Sequence, residues 1–515
     1  MPVFKLVITL LLVGAILAAL ARRIKAPYPA LLALAGAALA LLPGLPEVVL
    51  DPELALTLLV APVLLDAAFD SSPRDLRAHW RAVTGLALVA VGLTVVAAAV
   101  VARWLMPELP WAAAIALGAI VAPPDAAAAT AVLNQLRPPH RILVILQGES
   151  LFNDASALLI YRFAVAAAVT GSFAGWSALP TFLLVALGSV VLGAAAARVT
   201  LWVTPRITDV PTAVIVQFLG TFAVWMLAEQ VHLSGILTVV TFAILVARRA
   251  PDLISARLRI QSYAVWEVVV FMLNVLAFIL IGLQLKPILA RFSGTELATY
   301  TTAALAVCAA VIVVRIAWVL SYSMVARWGG AKASTGETIV VAWCGMRGIV
   351  TVAAALALPD GTAPFPGRDF ILFTAFLVVL VTLVVQGMTV GPLMRMVCLR
   401  DDGAVEREVR LARAETARAA LAAVDGSGAG DGEIVNFLRR KYQARLLRAQ
   451  AGDEALDPAE ADGWRAFGTA QQRAYVEERH RLSDLRARGI IGDDAFHRVE
   501  EELDWAEVNA ETRRQ

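Results

Sequence analysis

Between residues 3 and 398 the chain is a succession of apolar blocks, and no other feature restricts its fold so strongly. Thirteen blocks fall near 3–21, 28–43, 53–70, 82–106, 111–136, 141–169, 177–204, 211–229, 233–248, 263–287, 298–326, 335–358 and 369–398. A helix of about 20 apolar residues crosses the roughly 30 Å hydrocarbon core of a bilayer. The blocks therefore predict an all-α polytopic membrane protein with about thirteen transmembrane helices, the second of them short. Composition agrees: 59% of residues are hydrophobic and 17% charged, against roughly 45–50% apolar in soluble domains.

Loop charge orients the spans. With the N-terminus outside, one alternating set of connections holds Arg22, Arg23, Lys25, Arg74, Arg77, Arg81, Arg137, Arg141, Arg198, Arg206, Arg248, Arg249, Arg257, Arg259, Arg327, Lys332, Arg395 and Arg400. The other set has only Lys5, Arg103, Lys286, Arg291 and Arg368, beside acidic Glu47, Asp51, Glu53 and Glu108. Basic loops stay cytoplasmic, so the expected topology is N-terminus out and C-terminus in. The first block, Leu6 to Ala21, is long for a signal-peptide core and runs straight into Arg22 and Arg23, which reads as a retained first helix.

After about residue 400 the texture changes. "EREVRLARAETARAALAAV", a Gly/Ser/Asp break at "DGSGAGDGE" and then "IVNFLRRKYQARLLRAQ" repeat apolar residues at three and four among Arg and Glu, as amphipathic helices do. The expected division is a transmembrane domain over 1–400 and a cytoplasmic helical tail over 401–515. Nothing in the charge pattern suggests nucleic acid as a partner. Cys308, Cys344 and Cys398 lack CxxC or metal-ligand spacing and read as buried, reduced thiols.

Ionisable groups inside the blocks are the chemical signal. Each costs about 2.5–3.5 kcal/mol near the bilayer centre unless it is paired or faces water. Seven stand there: Asp66, Asp125, Glu149, Asp154, Glu267, Arg315 and Arg347. Five acids cannot all be neutralised by two bases, so some carboxylates must be protonated or hold a cation. Desolvation of a carboxylate brings its proton loss closer to neutral pH, and the same oxygens suit a hard monovalent cation. Competition of the two for one site is an exchange mechanism, needing no resident cofactor.

In the sixth block, "GESLFNDASALLIYRF", Ser150 and Asp154 are four residues apart and Asn153 is three from Ser150. Hydroxyl, amide and carboxylate therefore turn to one side of a helix. Glu149 leans off that face and calls for an arginine, for which Arg315 and Arg347 both qualify. Arg162 lies near the helix end, where it can reach the interface. The fifth block carries Pro123 and Pro124 before Asp125; prolines in mid-helix break the turn before them, and broken backbone is tolerated in a membrane only inside protein or beside a cavity. The twelfth block mirrors this, with Gly345 and Gly348 flanking Arg347. Interrupted helices at corresponding places in two halves point to an inverted-repeat transporter with its site where the breaks cross. Asp66 lies toward the cytoplasmic end of its block, as a supporting ligand or a funnel group. Glu267 sits near a boundary.

"GESLFNDASALL" closely resembles the asparagine–aspartate segment of the cation/proton antiporter family that includes bacterial sodium/proton antiporters and animal sodium/proton exchangers. "APPDAAAATAV", the lone Arg315, "CGMRGIV" and "LLDAAF" extend the resemblance over about residues 5–398. It implies the NhaA-like antiporter fold: thirteen helices with inverted repeats and two broken crossing helices, assembled as a homodimer with a core that moves like an elevator. It implies Asp154 and Asp125 as the carboxylates for cation and proton, with Asn153, Ser150 and Asp66 contributing, Glu149 with Arg315 as a structural ion pair, and Arg347 at the crossing. It further implies electroneutral exchange of Na+, with Li+ and K+ as alternatives, for H+ in a bacterial cytoplasmic membrane. A potassium/proton antiporter is the nearest rival, and a transporter-derived sensor acting through the tail another. A membrane enzyme lacks any nucleophile–base or metal-ligand set. One departure stands out. Many members carry a threonine before the fifth-helix aspartate, where this chain has Pro124, so a side-chain oxygen is missing.

Overall fold

Each of the thirteen apolar blocks carries helix in the computed structural model. The structure describes residues 2–24, 26–43, 51, 55–133, 136, 138–171, 178–207, 209–292, 294–328, 334–360, 365–399, 401–425, 432–451, 458–488, 490, 495–496, 499–500 and 502–506. Lys25, Glu47, Glu53, Arg137, Lys332, Arg400 and most of the Gly/Ser/Asp break of the tail lie outside the described residues. Among the described residues there is no strand.

In chain order the elements are α1 (Pro2–Ile24), α2 (Tyr28–Ala40), a π-helical turn (Ala55–Val60) leading into α3 (Ala61–Phe69), α4 (Pro73–Ala78), α5 (Trp80–Thr84), a second π-helical turn (Gly85–Ala90) and α6 (Val91–Leu105). Then come α7 (Trp111–Val121), α8 (Ala126–Leu133), α9 (His140–Thr170), α10 (Ala178–Val203), α11 (Val210–Gln230), α12 (Gly235–Leu253) and α13 (Ala256–Leu283). The membrane part closes with α14 (Leu285–Leu289), α15 (Gly294–Trp328), α16 (Thr335–Trp343), α17 (Ile349–Leu356), α18 (Arg368–Val381), a third π-helical turn (Thr382–Gln386) and α19 (Gly387–Met396). Among the described residues nine stretches of helix are long and apolar enough to cross a membrane, and Tyr28–Ala40 and Ala55–Phe69 are shorter apolar ones. Two blocks differ for visible reasons: α12 gathers Arg248, Arg249 and Asp252 in its last turns, and the twelfth block is two short helices, α16 and α17, around a break.

Helix starts are set where sequence chemistry places them. The Ser72, Asp209, Ser234 and Ser334 side chains accept from the backbone N–H three residues on, satisfying orphan donors of the first turn. Gly171 ends α9 at φ 69°, a left-handed conformation that suits glycine.

Helix–helix packing relies on small residues, because lipid removes the hydrophobic drive for association and leaves close van der Waals contact. The short α2 lies directly on α13 in this way: a Cβ at Gly282 would run into the backbone of Ala33 and Ala37, and one at Gly36 into the backbone of Ile279. Gly282→Ala is therefore expected to push the two helices apart and cost about 1–3 kcal/mol. Gly92→Ala is the control, since a Cβ there meets nothing within 4 Å. Thermal unfolding in detergent should separate the two variants, and equal melting temperatures would refute this account of the packing.

Two of the buried apolar clusters matter for the site. One joins α6, α7, the C-terminal half of α9, α15, α17 and α18 through residues such as Ala98, Leu117, Ala157 and Val378. Another joins α3, α11 and α12 through Leu64, Trp225 and Val239, and reaches α9 at Leu151. Cys308 and Cys344 are buried as expected, but Cys398 is exposed. It stands past the end of α19, in a turn where its φ is 53°. The chain divides into two compact units, Met1–Asp402 and Gly403–Gln515; the second contains α20 (Ala404–Asp425), α21 (Glu433–Ala451) and α22 (Pro458–Ala487).

Candidate functional site

Two interrupted helices meet inside the membrane unit. Pro123 and Pro124 offer no N–H, and each disfavours helical geometry in the residue before it, so α7 stops at Val121 and α8 begins at Ala126. The second interruption, Cys344–Gly348, separates α16 from α17. The two breaks touch through backbone: Asp125 N–H donates to Met346 O at 2.7 Å.

Arg347 ties the crossing together. Its Nε donates to Val121 O at 3.0 Å and its Nη2 to Ala122 O at 3.1 Å, the carbonyls that α7 leaves without intrahelical partners. Its Nη1 donates to Gly345 O, and its backbone N–H to Thr382 Oγ1 at 3.1 Å. A cation at a helix C-terminus offsets the partial negative charge of those carbonyls, which gives a guanidinium only 1% exposed a reason to be there. On the other side of the break, Asp125 Oδ1 accepts from Ala127 N–H at 2.8 Å and caps the start of α8. A Cβ at Gly348 would collide with the Asp125 carboxylate, so only glycine leaves room for it.

The long helix α9 passes beside this crossing. Ser150 Oγ accepts from Ala126 N–H at 3.4 Å. Asn153 is fully buried and its Nδ2 donates to Pro124 O at 3.2 Å. A carbonyl can only accept, so the amide nitrogen must face it and Oδ1 must face away; that buried Oδ1 has no partner among the described residues. Glu149 does not join this face. It is bound by Arg315, Nη1 to Oε1 at 2.5 Å and Nη2 to Oε2 at 2.9 Å, both residues nearly inaccessible. Two parallel bonds of this kind are the strongest form of ion pair. Of the two arginines that the spacing allowed, the partner is Arg315, which also donates to Val341 O at 3.2 Å.

Asp154 is 5% exposed, and among the described residues no hydrogen bond or ion pair holds its carboxylate. Asp125 is its charged neighbour. The charges at the crossing are thus three carboxylates, buried Glu149 and Asp154 and partly buried Asp125, against two buried guanidiniums, Arg315 and Arg347. Fully ionised, the cluster carries one uncompensated negative charge. Burying that charge is costly, and one proton or one monovalent cation removes the excess.

The remaining sequence candidates lie elsewhere. Asp66, on α3, is half-buried, with Asp70 and Glu267 as charged neighbours, and no hydrogen bond joins it to Asp125 or Asp154. Glu267 is exposed. Arg162 bonds Glu229 on α11 at 3.2 Å, and the two side chains are 52% and 44% exposed. Reaching for the membrane interface is thus only part of its role, because an acid on a neighbouring helix meets it. Thr382, which receives the Arg347 N–H, escaped sequence reading: it sits in a π-helical turn of an unremarkable apolar run.

The sequence pattern of the family described as "Sodium/hydrogen exchanger, transmembrane" matches residues 7–396. An uncharacterized Na(+)/H(+) exchanger of Mycobacterium tuberculosis (strain ATCC 25618 / H37Rv) is 31% identical over 530 residues, covering 98% of this chain and 96% of that protein. A sodium, potassium, lithium and rubidium/H(+) antiporter of Bacillus subtilis (strain 168) is 33% identical over 364 residues, covering 65% of this chain and 53% of its own. Among solved structures, the sodium proton antiporter MjNhaP1 from Methanocaldococcus jannaschii superposes with a TM-score of 0.61 at 18% identity, covering 75% of this chain and 98% of that one. At that identity the likeness speaks for the fold.

Proposed function

Because this chain belongs to the sodium/hydrogen exchanger family, whose members are multi-span membrane transporters and not enzymes, we propose that it exchanges one Na+ for one H+ across the cytoplasmic membrane of a bacterial cell. Cation and proton compete for Asp154 and Asp125. The observation that carries this reading is the buried Asp154 carboxylate, without a partner among the described residues and with Asp125 as its charged neighbour, on the helix that also carries the buried amide oxygen Asn153 Oδ1. Acceptors without donors are what a desolvated cation requires. Ser150 contributes to the same face, and Asp66, outside the cluster, serves the approach from the cytoplasm.

One uncompensated charge gives the stoichiometry. A cluster neutralised by either one cation or one proton moves the same net charge in both directions of the cycle, so exchange is electroneutral and driven by the chemical gradients. The excess of basic residues in one set of loops supports a cytoplasmic C-terminus and helical tail, residues 401–515. Alternating access by an elevator-like movement is supported by separate apolar clusters: the group of α6, α7, α15, α17 and α18 and the group of α3, α11 and α12 both reach α9. The functional unit in this proposal is a homodimer in the lipid bilayer. Exchange of K+ for H+ is the second reading, favoured by the name of the Bacillus relative, which includes potassium and lithium.

Proton movement in proteoliposomes tests the proposal. A pulse of Na+ should drive proton flux, and pulses of Li+ and K+ rank the alternatives. Moving one elementary charge across 100 mV is worth about 2.3 kcal/mol, so an electrogenic cycle would change rate markedly under an ionophore-imposed voltage. The rate here is expected to stay the same. A voltage-dependent rate would rule out one-for-one exchange, and no proton movement with any cation would rule out antiport.

A further inference from the structure

We propose that the first turn of α17 forms a wall of the cation site, where the Thr351 hydroxyl supplies the side-chain oxygen that Pro124 cannot. The inference rests on the antiport reading above and assigns a specificity-determining residue to it.

Thr351 is 1% exposed, and among the described residues its Oγ1 has no hydrogen-bond partner. That is unusual for a threonine in a membrane helix, whose hydroxyl ordinarily donates to the carbonyl four residues back. Thr94, Thr130, Thr238 and Thr382 all do so, at 2.7–2.8 Å. The corresponding acceptor for Thr351 would be the carbonyl of Arg347, which lies in the non-helical Cys344–Gly348 break. The interruption of the helix therefore frees this hydroxyl. Among the described residues Thr204, Ser262 and Thr374 are also buried without a partner, and Thr351 is the one carried by a broken span.

Position directs the free hydroxyl. Gly348 is the N-cap of α17 and Thr351 is its third helical residue. Side chains in a helix lean toward its N-terminus, and the third position is the one whose side chain reaches back to the N-cap. At that N-cap sits the Asp125 carboxylate, packed so closely that a Cβ on Gly348 would overlap Oδ2. The other carboxylate oxygen, Oδ1, is engaged by Ala127 N–H. Oδ2 thus faces the start of α17, on the side to which Thr351 leans. A hydroxyl both donates and accepts, so it can bond the carboxylate when the proton is bound and turn a lone pair to the metal ion when the cation is bound. Proline at 124 and threonine at 351 then balance: one oxygen is lost from the first break and one is offered by the second.

The test compares Thr351→Val, which keeps the shape and removes the hydroxyl, with Thr351→Ser, which keeps the hydroxyl. Cation-driven proton flux in proteoliposomes gives KM for Na+, Li+ and K+. For Thr351→Val the KM for Na+ is expected to rise about tenfold with the maximal rate within about twofold. Thr351→Ser should remain near the unaltered protein. The stabilisation of purified protein by Na+ gives a second readout: Thr351→Val should need about tenfold more Na+ for the same rise in melting temperature. Unchanged KM values in Thr351→Val, or equal losses in Val and Ser variants, would overturn the inference. Absence of cation-driven flux in the unaltered protein would instead overturn the antiport reading.

Discussion

Asp154→Asn is expected to reduce cation-driven proton flux to the level of empty liposomes while leaving the protein folded. An amide is close in shape to a carboxylate, but it neither releases a proton near neutral pH nor balances a cation. Among the described residues nothing bonds the buried Asp154 carboxylate, so the substitution breaks no bond among them. Melting temperature should hold or rise, because an uncompensated buried charge destabilises the protein that contains it. The combination of lost transport and retained stability distinguishes a cargo site from a structural one. Transport at the unaltered rate would show that the exchanged charge resides elsewhere.

The second large effect concerns the neighbouring pair, where the signs reverse. Arg315→Met would leave Glu149 buried without its two bonds, at a cost of about 3–5 kcal/mol. Glu149→Leu would strand Arg315 comparably. Combining Glu149→Leu with Arg315→Met removes one charge of each sign, leaves the excess at the crossing unchanged, and should recover most of the stability. Thermal unfolding of the two single variants and the double one gives the coupling directly. If the losses simply add, the pair is not the structural unit described here. The double variant should also still exchange cation for proton, since neither partner belongs to the charge that is carried.

The sequence made the helical fold legible because a membrane leaves few choices. Long apolar blocks must be helices, and prolines or glycines within them must interrupt. Hence the breaks at Pro123–Pro124 and Gly345–Gly348 could be read before any coordinates. Contact across the chain is another matter. Spacing said that Glu149 needed an arginine, and only packing selects Arg315, 166 residues away. Gly348 reads as a helix breaker, yet its role in making room for the Asp125 carboxylate depends on an approach of two segments that no local pattern encodes. Thr382 and Thr351 were invisible for a similar reason. A threonine in an apolar run ordinarily bonds its own helix; Thr382 does so and also accepts the Arg347 N–H from a distant segment, whereas the break before α17 puts the carbonyl four residues before Thr351 outside the helix. Asp66 is less specific in sequence: an acid in an apolar block suggests a supporting ligand or a funnel group, and it stands on α3 with Asp70 and Glu267 as charged neighbours.

The central claim is that cation and proton compete for a single buried excess charge. The most direct measurement is KM for Na+ in proteoliposomes at successively lower pH, with the maximal rate determined at each step. Competition predicts that KM rises toward about tenfold per pH unit on the acid side while the maximal rate at saturating Na+ is retained. A KM that does not change with pH, accompanied by a falling maximal rate, would contradict it.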